Sequence, residues 1–380
     1  QAHEQLGHTI MLLSHAIEVP SELARLCYRF ELSLPSDQQI RQLVHEMADS
    51  YAIKQGTMAE LTPDNLTLLV QNLRGLTFEE VKRLAYKAIA DDGAVTAADI
   101  PRINRAKFSL LQTDGVLSQV FDSVSFNNVI GLASLKHWIA QRHQAFVAQQ
   151  ADTPKGLLLT GVQGTGKSLA AKAIAGSWHL PLLRLDMAAL YNKYIGETEK
   201  NLTQALALAD AMSPCVLWID EIEKGLSSGD NDNGVSRRLL GSFLTWLSER
   251  KSQVFLVATA NNIHDLAPEL LRKGRFDEIF FVDLPDEQER LQLLQLHLTK
   301  RQLQLSEAEL CSVLALCHGF SGAELEQAVV GAGFRARAGN STFSVTHLTD
   351  ELAATQPLAV VMAEQITALR QWALERCVKA

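Results

Sequence analysis

The sequence predicts an α/β fold: a doubly wound, five-stranded parallel sheet with a helical lid behind it and a partial second module in front. Five short apolar runs alternate with helical patterns, and strand alternating with helix builds a parallel sheet covered on both faces. One run, Gly156–Thr160, leads directly into Gly161-Val-Gln-Gly-Thr-Gly-Lys167-Ser168, the spacing GxxxxGK[ST], with the helix-forming Leu169–Ala175 behind it. Features from the end of this region also recur, in the same order, near the start of the chain.

At 380 residues and 47% hydrophobic content, the chain can fill two or three domains with ordinary cores. No apolar run approaches the ~18 residues of a membrane span, so Val254–Ala260 reads as a buried strand and the protein as soluble. A net charge of −8 argues against a nucleic-acid track as the main surface. The five cysteines are odd in number and form no CxxC pair, as expected of reduced residues in a cytoplasmic protein. A chain that starts on Gln1 leaves a removed leader open.

Taken in order, residues 1–118 carry no GxxxxGK[ST] but mirror a later stretch. Thr9–Leu13, Glu22-Leu23, Arg25, Leu34-Pro35, Gln38, Gln42 and Leu43 parallel Val254–Val257, Glu269-Leu270, Arg272, Leu284-Pro285, Gln288, Gln292 and Leu293. Gly75-Leu-Thr77 with Glu80 then parallels Gly319-Phe-Ser321 with Glu324, each an N-cap with a capping-box Glu three residues on. Both read as strand, turn, strand and helical lid, so the first segment is the back half of a degenerate module. The polar, broken text from Asp91 to Val124 reads as lid end and linker.

The main domain, 119–287, holds the five strands Gly156–Thr160, Pro181–Leu185, Cys215–Ile219, Val254–Ala258 and Glu278–Val282. Gly225–Gly234, rich in Gly, Ser, Asn and Asp, is expected to be mobile. Residues 288–355 form the helical lid, and 356–380 a docked helix with apolar residues at Met362, Ile366, Leu369 and Trp372.

The Gly-rich stretch is a P-loop. Gly161, Gly164, Thr165 and Gly166 bring backbone N–H groups against phosphate oxygens, the helix N-terminus at Leu169 adds its dipole, Lys167 reaches the β- and γ-phosphates, and Ser168 joins a Mg²⁺ shell. Val216–Ile219 ends in Asp220-Glu221, where Asp220 can hold the metal and Glu221 can polarise a water. Asn261, after the next strand, can orient that water. Arg272 and Arg275 present two guanidinium groups suited to a γ-phosphate, although such a pair also suits a solvated turn.

GxxGxGKS, Trp218-Ile-Asp-Glu221, Asn261 and Leu270-Leu-Arg-Lys-Gly-Arg-Phe-Asp277 resemble the AAA+ ATPases, specifically the AAA subgroup, over about residues 125–350. The resemblance implies ATP as substrate, Mg²⁺, a sensor role for Asn261, and Arg272 and Arg275 as fingers donated to a neighbour's ATP. It implies that Asn128-Val129-Ile130 bracket the adenine, although Ile130 stands where a glycine is usual. It sets His318, Gly322 and Ala323 beside the ribose, where His318 can touch the sugar or be a surface histidine. Tyr194-Ile195 resembles the substrate-facing pair of an unfoldase pore loop, and residues 1–118 read as a degenerate AAA-like partial module.

Over most of its length, from Ser213–Lys224 and Phe243–Trp246 to the tail after Pro357, the chain is similar to the family of hypothetical chloroplast reading frame forty-six of plastids and cyanobacteria. The expected activity is Mg²⁺-dependent ATP hydrolysis at subunit interfaces of a homo-oligomeric ring, a hexamer, that remodels a protein partner. The alternatives are an ATP-driven switch or scaffold that threads nothing and, third, a nucleic-acid motor.

Overall fold

The computed structural model describes residues 11, 25–28, 33–91, 93–96, 98–111, 116–122, 124–148, 153–191, 197–226, 235–272 and 274–380. All five expected strands are present: β2 (Gly156–Gly161), β3 (Leu182–Leu185), β4 (Cys215–Ile219), β5 (Val254–Ala260) and β6 (Glu278–Val282). They pair in parallel in the order β3-β4-β5-β2-β6. Every residue of β2, β4 and β5 is buried, which is why these strands read as unbroken apolar runs.

Alternation along the strands separates two apolar layers. Leu158, Leu217 and Leu256 face Leu206 of α8 (Glu197–Ala211) and Phe243 of α9 (Val235–Glu249). Leu157, Trp218 and Phe255 face Ile139 of α5 (Ala133–Val147) and Ile174 of α6 (Lys167–Trp178).

Among the described residues the sheet has seven strands, because each edge gains one. β1 (Leu117–Val120) pairs antiparallel with β3, and β7 (Val378–Lys379) pairs parallel with β6. β1 and α4 (Ile100–Leu111) occupy the stretch read from sequence as lid end and linker, so the junction is structured. Pro101 resembles a break, but it is the second residue of α4, where no intrahelical N–H bond is lost.

Ahead of β1, helices α1 (Asp37–Gln55), α2 (Pro63–Leu73), α3 (Phe78–Ala90) and α4 enclose their own apolar cluster around Leu69, Leu73, Val81 and Ile89. The lid repeats the plan with α10 (Glu287–Lys300), α11 (Glu307–Val313), α12 (Gly322–Ala338) and α13 (Val345–Ala354). Capping boxes open α1 at Ser36/Gln39, α3 at Thr77/Glu80, α10 at Asp286/Glu289 and α12 at Ser321/Glu324. Apart from Met11 and Arg25, the strand and turn expected at Thr9–Leu13 and Glu22–Arg25 lie outside the described residues.

By contacts the chain divides into residues 1–34 and 35–380, so the four-helix module and the sheet belong to one unit. The module docks where β4 and β5 begin. Phe108 of α4 enters the core beside Leu183, Met212 and Cys215. The Arg74 guanidinium donates to Asp37 at 2.7 Å and to Gln253 Oε1 at 2.7 Å, and Gln253 Nε2 donates to the Phe146 carbonyl. Gly75, with φ of 79°, lies so close that a Cβ there would sit 2.5 Å from the Ala211 carbonyl oxygen.

Behind the lid, α14 (Leu358–Val361) and α15 (Ala363–Leu374) run back to the sheet. The Leu358 N–H donates to Glu324 Oε1, Arg370 pairs with Asp283 at 2.8 Å, and Ile366 and Leu369 are buried, in keeping with the helical spacing. Of the stretch expected to be mobile, Gly225 and Leu226 are ordered, with Leu226 fully buried, and 227–234 lie outside the described residues. Among the described residues no single helix is long and apolar enough to cross a membrane. All five cysteines are free thiols.

Candidate active site

The P-loop follows β2, the acid pair follows β4 and Asn261 follows β5. These adjacent parallel strands all deliver their polar residues at the same end of the sheet, the usual ligand-binding edge of such folds. Gly164 has φ of 78°, and a Cβ there would meet Ser321 Oγ at 2.8 Å, so only glycine admits the lid this close. The lid does touch it: the Ala323 N–H, at the start of α12, donates to the Gly164 carbonyl at 3.1 Å. Gly322 and Ala323, read from sequence as ribose-side residues, thus lie against the P-loop, and His318 is exposed and has no hydrogen-bond partner among the described residues.

Lys167 opens α6 and is buried. Its Nζ donates to the carbonyls of Gly161 at 2.8 Å and Val162 at 2.7 Å, and burial pushes its pKa down to about 8 against the pull of Glu223, Asp220 and Glu221. A buried ammonium held only by neutral carbonyls suits an incoming anion. Thr165 Oγ1 donates to the Val162 carbonyl, closing the loop, and Leu169 is partly exposed.

Asp220 Oδ1 accepts from Ser168 Oγ at 3.0 Å and from Thr259 Oγ1 at 2.6 Å, while Oδ2 has no hydrogen-bond partner among the described residues. A carboxylate and a hydroxyl side by side, with one carboxylate oxygen free, fit a Mg²⁺ whose other ligands are phosphate oxygens and water. No cluster of three or more His, Cys, Asp or Glu that could hold a metal occurs among the described residues.

Glu221 lies in the left-handed region at φ of 50°. Its Oε1 accepts from Asn261 Nδ2 at 2.9 Å, and its Oε2 pairs with Lys224 Nζ at 2.6 Å; this pairing raises the Lys224 pKa. Thr259 supports the whole turn, because its Oγ1 also accepts the Glu221 N–H at 3.0 Å. Two buried carboxylate contacts complete it: Glu223 Oε1 accepts the N–H groups of Asn261 at 2.9 Å and Asn262 at 3.4 Å. Burial pushes the Glu223 carboxyl above its ordinary pKa.

Sequence reasoning missed Thr259, Glu223 and Lys224. A Thr inside an otherwise apolar strand, and a third acid two residues after Glu221, were the available signals.

Val129 is buried, Ile130 half-buried and Asn128 exposed. The Val129 carbonyl accepts from Lys136 Nζ at 2.5 Å, and Gly131 beside it approaches Glu289 of the lid. Arg272 and Arg275 precede β6, at the opposite end of the sheet from the P-loop. Asp277 pins their loop to the start of β2 by accepting the N–H groups of Lys155 at 2.6 Å and Gly156 at 2.8 Å. Arg272 is exposed and its guanidinium has no hydrogen-bond partner among the described residues, and the Arg275 guanidinium donates to the Leu244 carbonyl at 2.8 Å. Tyr194 and Ile195 lie outside the described residues.

Comparison with known proteins gives two family matches. Residues 157–284 match the ATPase family associated with various cellular activities (AAA), and residues 38–114 match the second domain of SpoVK-like AAA ATPases. The chain is 38% identical to the AAA domain-containing protein ycf46 of Pyropia yezoensis, over 96% of this chain and 74% of that protein. It is 38% identical to the proteasome-activating nucleotidase of Aeropyrum pernix, over 49% of this chain and 46% of that protein. The solved AAA domain of FIGL-1 in complex with ADP has the same fold, with a TM-score of 0.60 at 22% identity over 72% of this chain and 97% of that one.

Proposed function

Since this chain belongs to the AAA ATPase family, within the group that includes ycf46, we propose that it hydrolyses ATP at the subunit interfaces of a homo-oligomeric ring and uses the energy to remodel a protein partner. The observation that carries this reading is the convergence of Lys167, Ser168, Asp220, Glu221 and Asn261 at one end of the sheet while Arg272 stands exposed at the other. The five residue steps of β2 span about 17 Å at ~3.3 Å per residue, too far for Arg272 to serve its own P-loop. The match to a proteasome-activating nucleotidase, itself named for acting on a protein machine, supports a protein partner.

In this mechanism the Lys167 ammonium leaves the Gly161 and Val162 carbonyls for the β- and γ-phosphates. Ser168 and Asp220 would hold Mg²⁺, which supplies neutralisation of the phosphate charge. Asn261 keeps Glu221 aligned, and Glu221 accepts the proton of the water that attacks the γ-phosphorus. Arg272, with Arg275 once released from Leu244, stabilises the charge that develops in the neighbour's site. Asn128, Val129 and Ile130 bracket the base, and His318, Gly322 and Ala323 frame the sugar. Tyr194 and Ile195 face the substrate in the ring opening.

Two measurements test the assignment. Lys167→Ala should abolish nucleotide binding, whereas Glu221→Gln should bind ATP with near-native affinity and lose at least a hundredfold in turnover, because it acts in the transition state. Near-native hydrolysis by Glu221→Gln would remove it as the base. Tyr194→Ala should abolish stimulation of hydrolysis by unfolded protein, and stimulation that persists would favour a conformational switch.

A further inference from the structure

We propose that Glu223 is a positioning residue for hydrolysis, fixing the backbone at Asn261 and thereby the amide that aligns Glu221. The proposal rests on the roles given above to Glu221 and Asn261. Glu223 sits in the single 3-10 turn Ile222–Lys224 directly after Glu221, and it is only 7% exposed. Its side chain turns inward to the end of β5. There the N–H groups of Asn261 and Asn262, just past the last strand residue Ala260, both point at Oε1, at 2.9 and 3.4 Å.

Among the described residues the N–H groups of Asn261, which is half-buried, and Asn262, which is exposed, have no other acceptor, and a partly buried donor left without one is disfavoured. Two acids two residues apart therefore address one asparagine: Glu223 holds its main chain and Glu221 meets its side chain at 2.9 Å. Thr259 fastens the same two elements one pleat earlier, through Asp220 Oδ1 and the Glu221 N–H. Thr259 registers β5 against β4, and Glu223 holds the main chain just beyond the strand, at Asn261 and Asn262. Loss of this contact lets the Asn261 amide drift, and a displacement of about 1 Å is enough to cost on the order of a hundredfold in rate.

The role separates from simple stability by comparing Glu223→Gln, which keeps an acceptor oxygen, with Glu223→Leu, which does not. Hydrogen exchange of the nucleotide-free protein should show the Asn261 and Asn262 amides protected in the wild type and in Glu223→Gln, and at least tenfold faster in Glu223→Leu. Affinity for ATP in the presence of Mg²⁺ should stay within about threefold in both, while kcat falls at least tenfold in the Leu variant and is rescued in the Gln variant. In an Asn261→Ala background, Glu223→Leu should add less than a threefold loss, since the path it acts through is already cut. Unchanged exchange or unchanged kcat in Glu223→Leu would overturn the proposal, as would a Gln variant as impaired as Leu or a full additive loss in the Asn261→Ala background. If the wild type itself hydrolysed no ATP, the functional reading would fall while the exchange measurement still decided whether Glu223 holds Asn261.

Discussion

At Lys107 the seam between the four-helix module and the sheet buries an ammonium that has no hydrogen-bond partner among the described residues, with the Cys215 thiol and the Arg74 guanidinium as its titratable neighbours. Burial pushes its pKa down to about 8 from 10.5, and Arg74 adds to the effect. Between those two values the unfolded chain binds more protons than the folded one, so stability should rise with pH across that window. Below pH 8 both states are charged and the whole penalty applies, about 3 kcal/mol. Lys107→Met should therefore stabilise the protein at pH 7 and flatten the rise between pH 8 and 10, as read by chemical denaturation at several pH values. Cys215, pushed up to about 12, titrates above that range, whereas Arg250, lowered to about 10, begins to lose its proton near the upper end of it, so the slope is best read between pH 8 and 9. At this scale the sequence was legible wherever chemistry requires a residue type at fixed spacing, as with Lys167, Ser168 and the acid pair. It was silent on Lys107, because a lysine on a helix reads as solvated until the surface it meets is known.

The tail after the lid is an element whose two kinds of contact differ in worth. Arg370 pairs with Asp283 while 46% exposed, and a pair so open to water contributes under about 1 kcal/mol. Leu369, 8% exposed on the same helix, enters the core, so Leu369→Ala should cost about 2–3 kcal/mol and Arg370→Ala far less, compared by thermal or urea denaturation. The apolar spacing of α15 was readable because its face is continuous. β7 was not readable, because two exposed residues carry no period. β1 was hidden for a related reason: Leu117–Val120 has one fully buried residue, too few for a strand pattern, and its partner β3 is more than sixty residues away.

For the molecule as a whole, the separation of Arg272 from its own P-loop predicts that specific activity rises with protein concentration. Mixing Arg272→Ala subunits with Lys167→Ala subunits should restore some turnover, because an intact P-loop then meets an intact finger; a concentration-independent rate without rescue would indicate a monomeric enzyme. Deleting residues 1–118 removes Phe108 from the core and cuts through β1, so such a truncation should melt at a lower temperature than one that ends ahead of α1. The matching helix starts were legible because Thr77 and Ser321 share a capping chemistry, while the docking of the four helices on the sheet has no periodic signature. That docking also has an evolutionary consequence. The exposed faces of the module's helices pack against nothing among the described residues and are free to drift. Gly75 is not free, because any side chain there would collide with the Ala211 carbonyl and wedge the module off the sheet. Substitutions accumulating among descendants of this chain should therefore be scattered across the outer faces of α1 and α3 and absent at position 75, and a saturation library selected for folding should return glycine there alone.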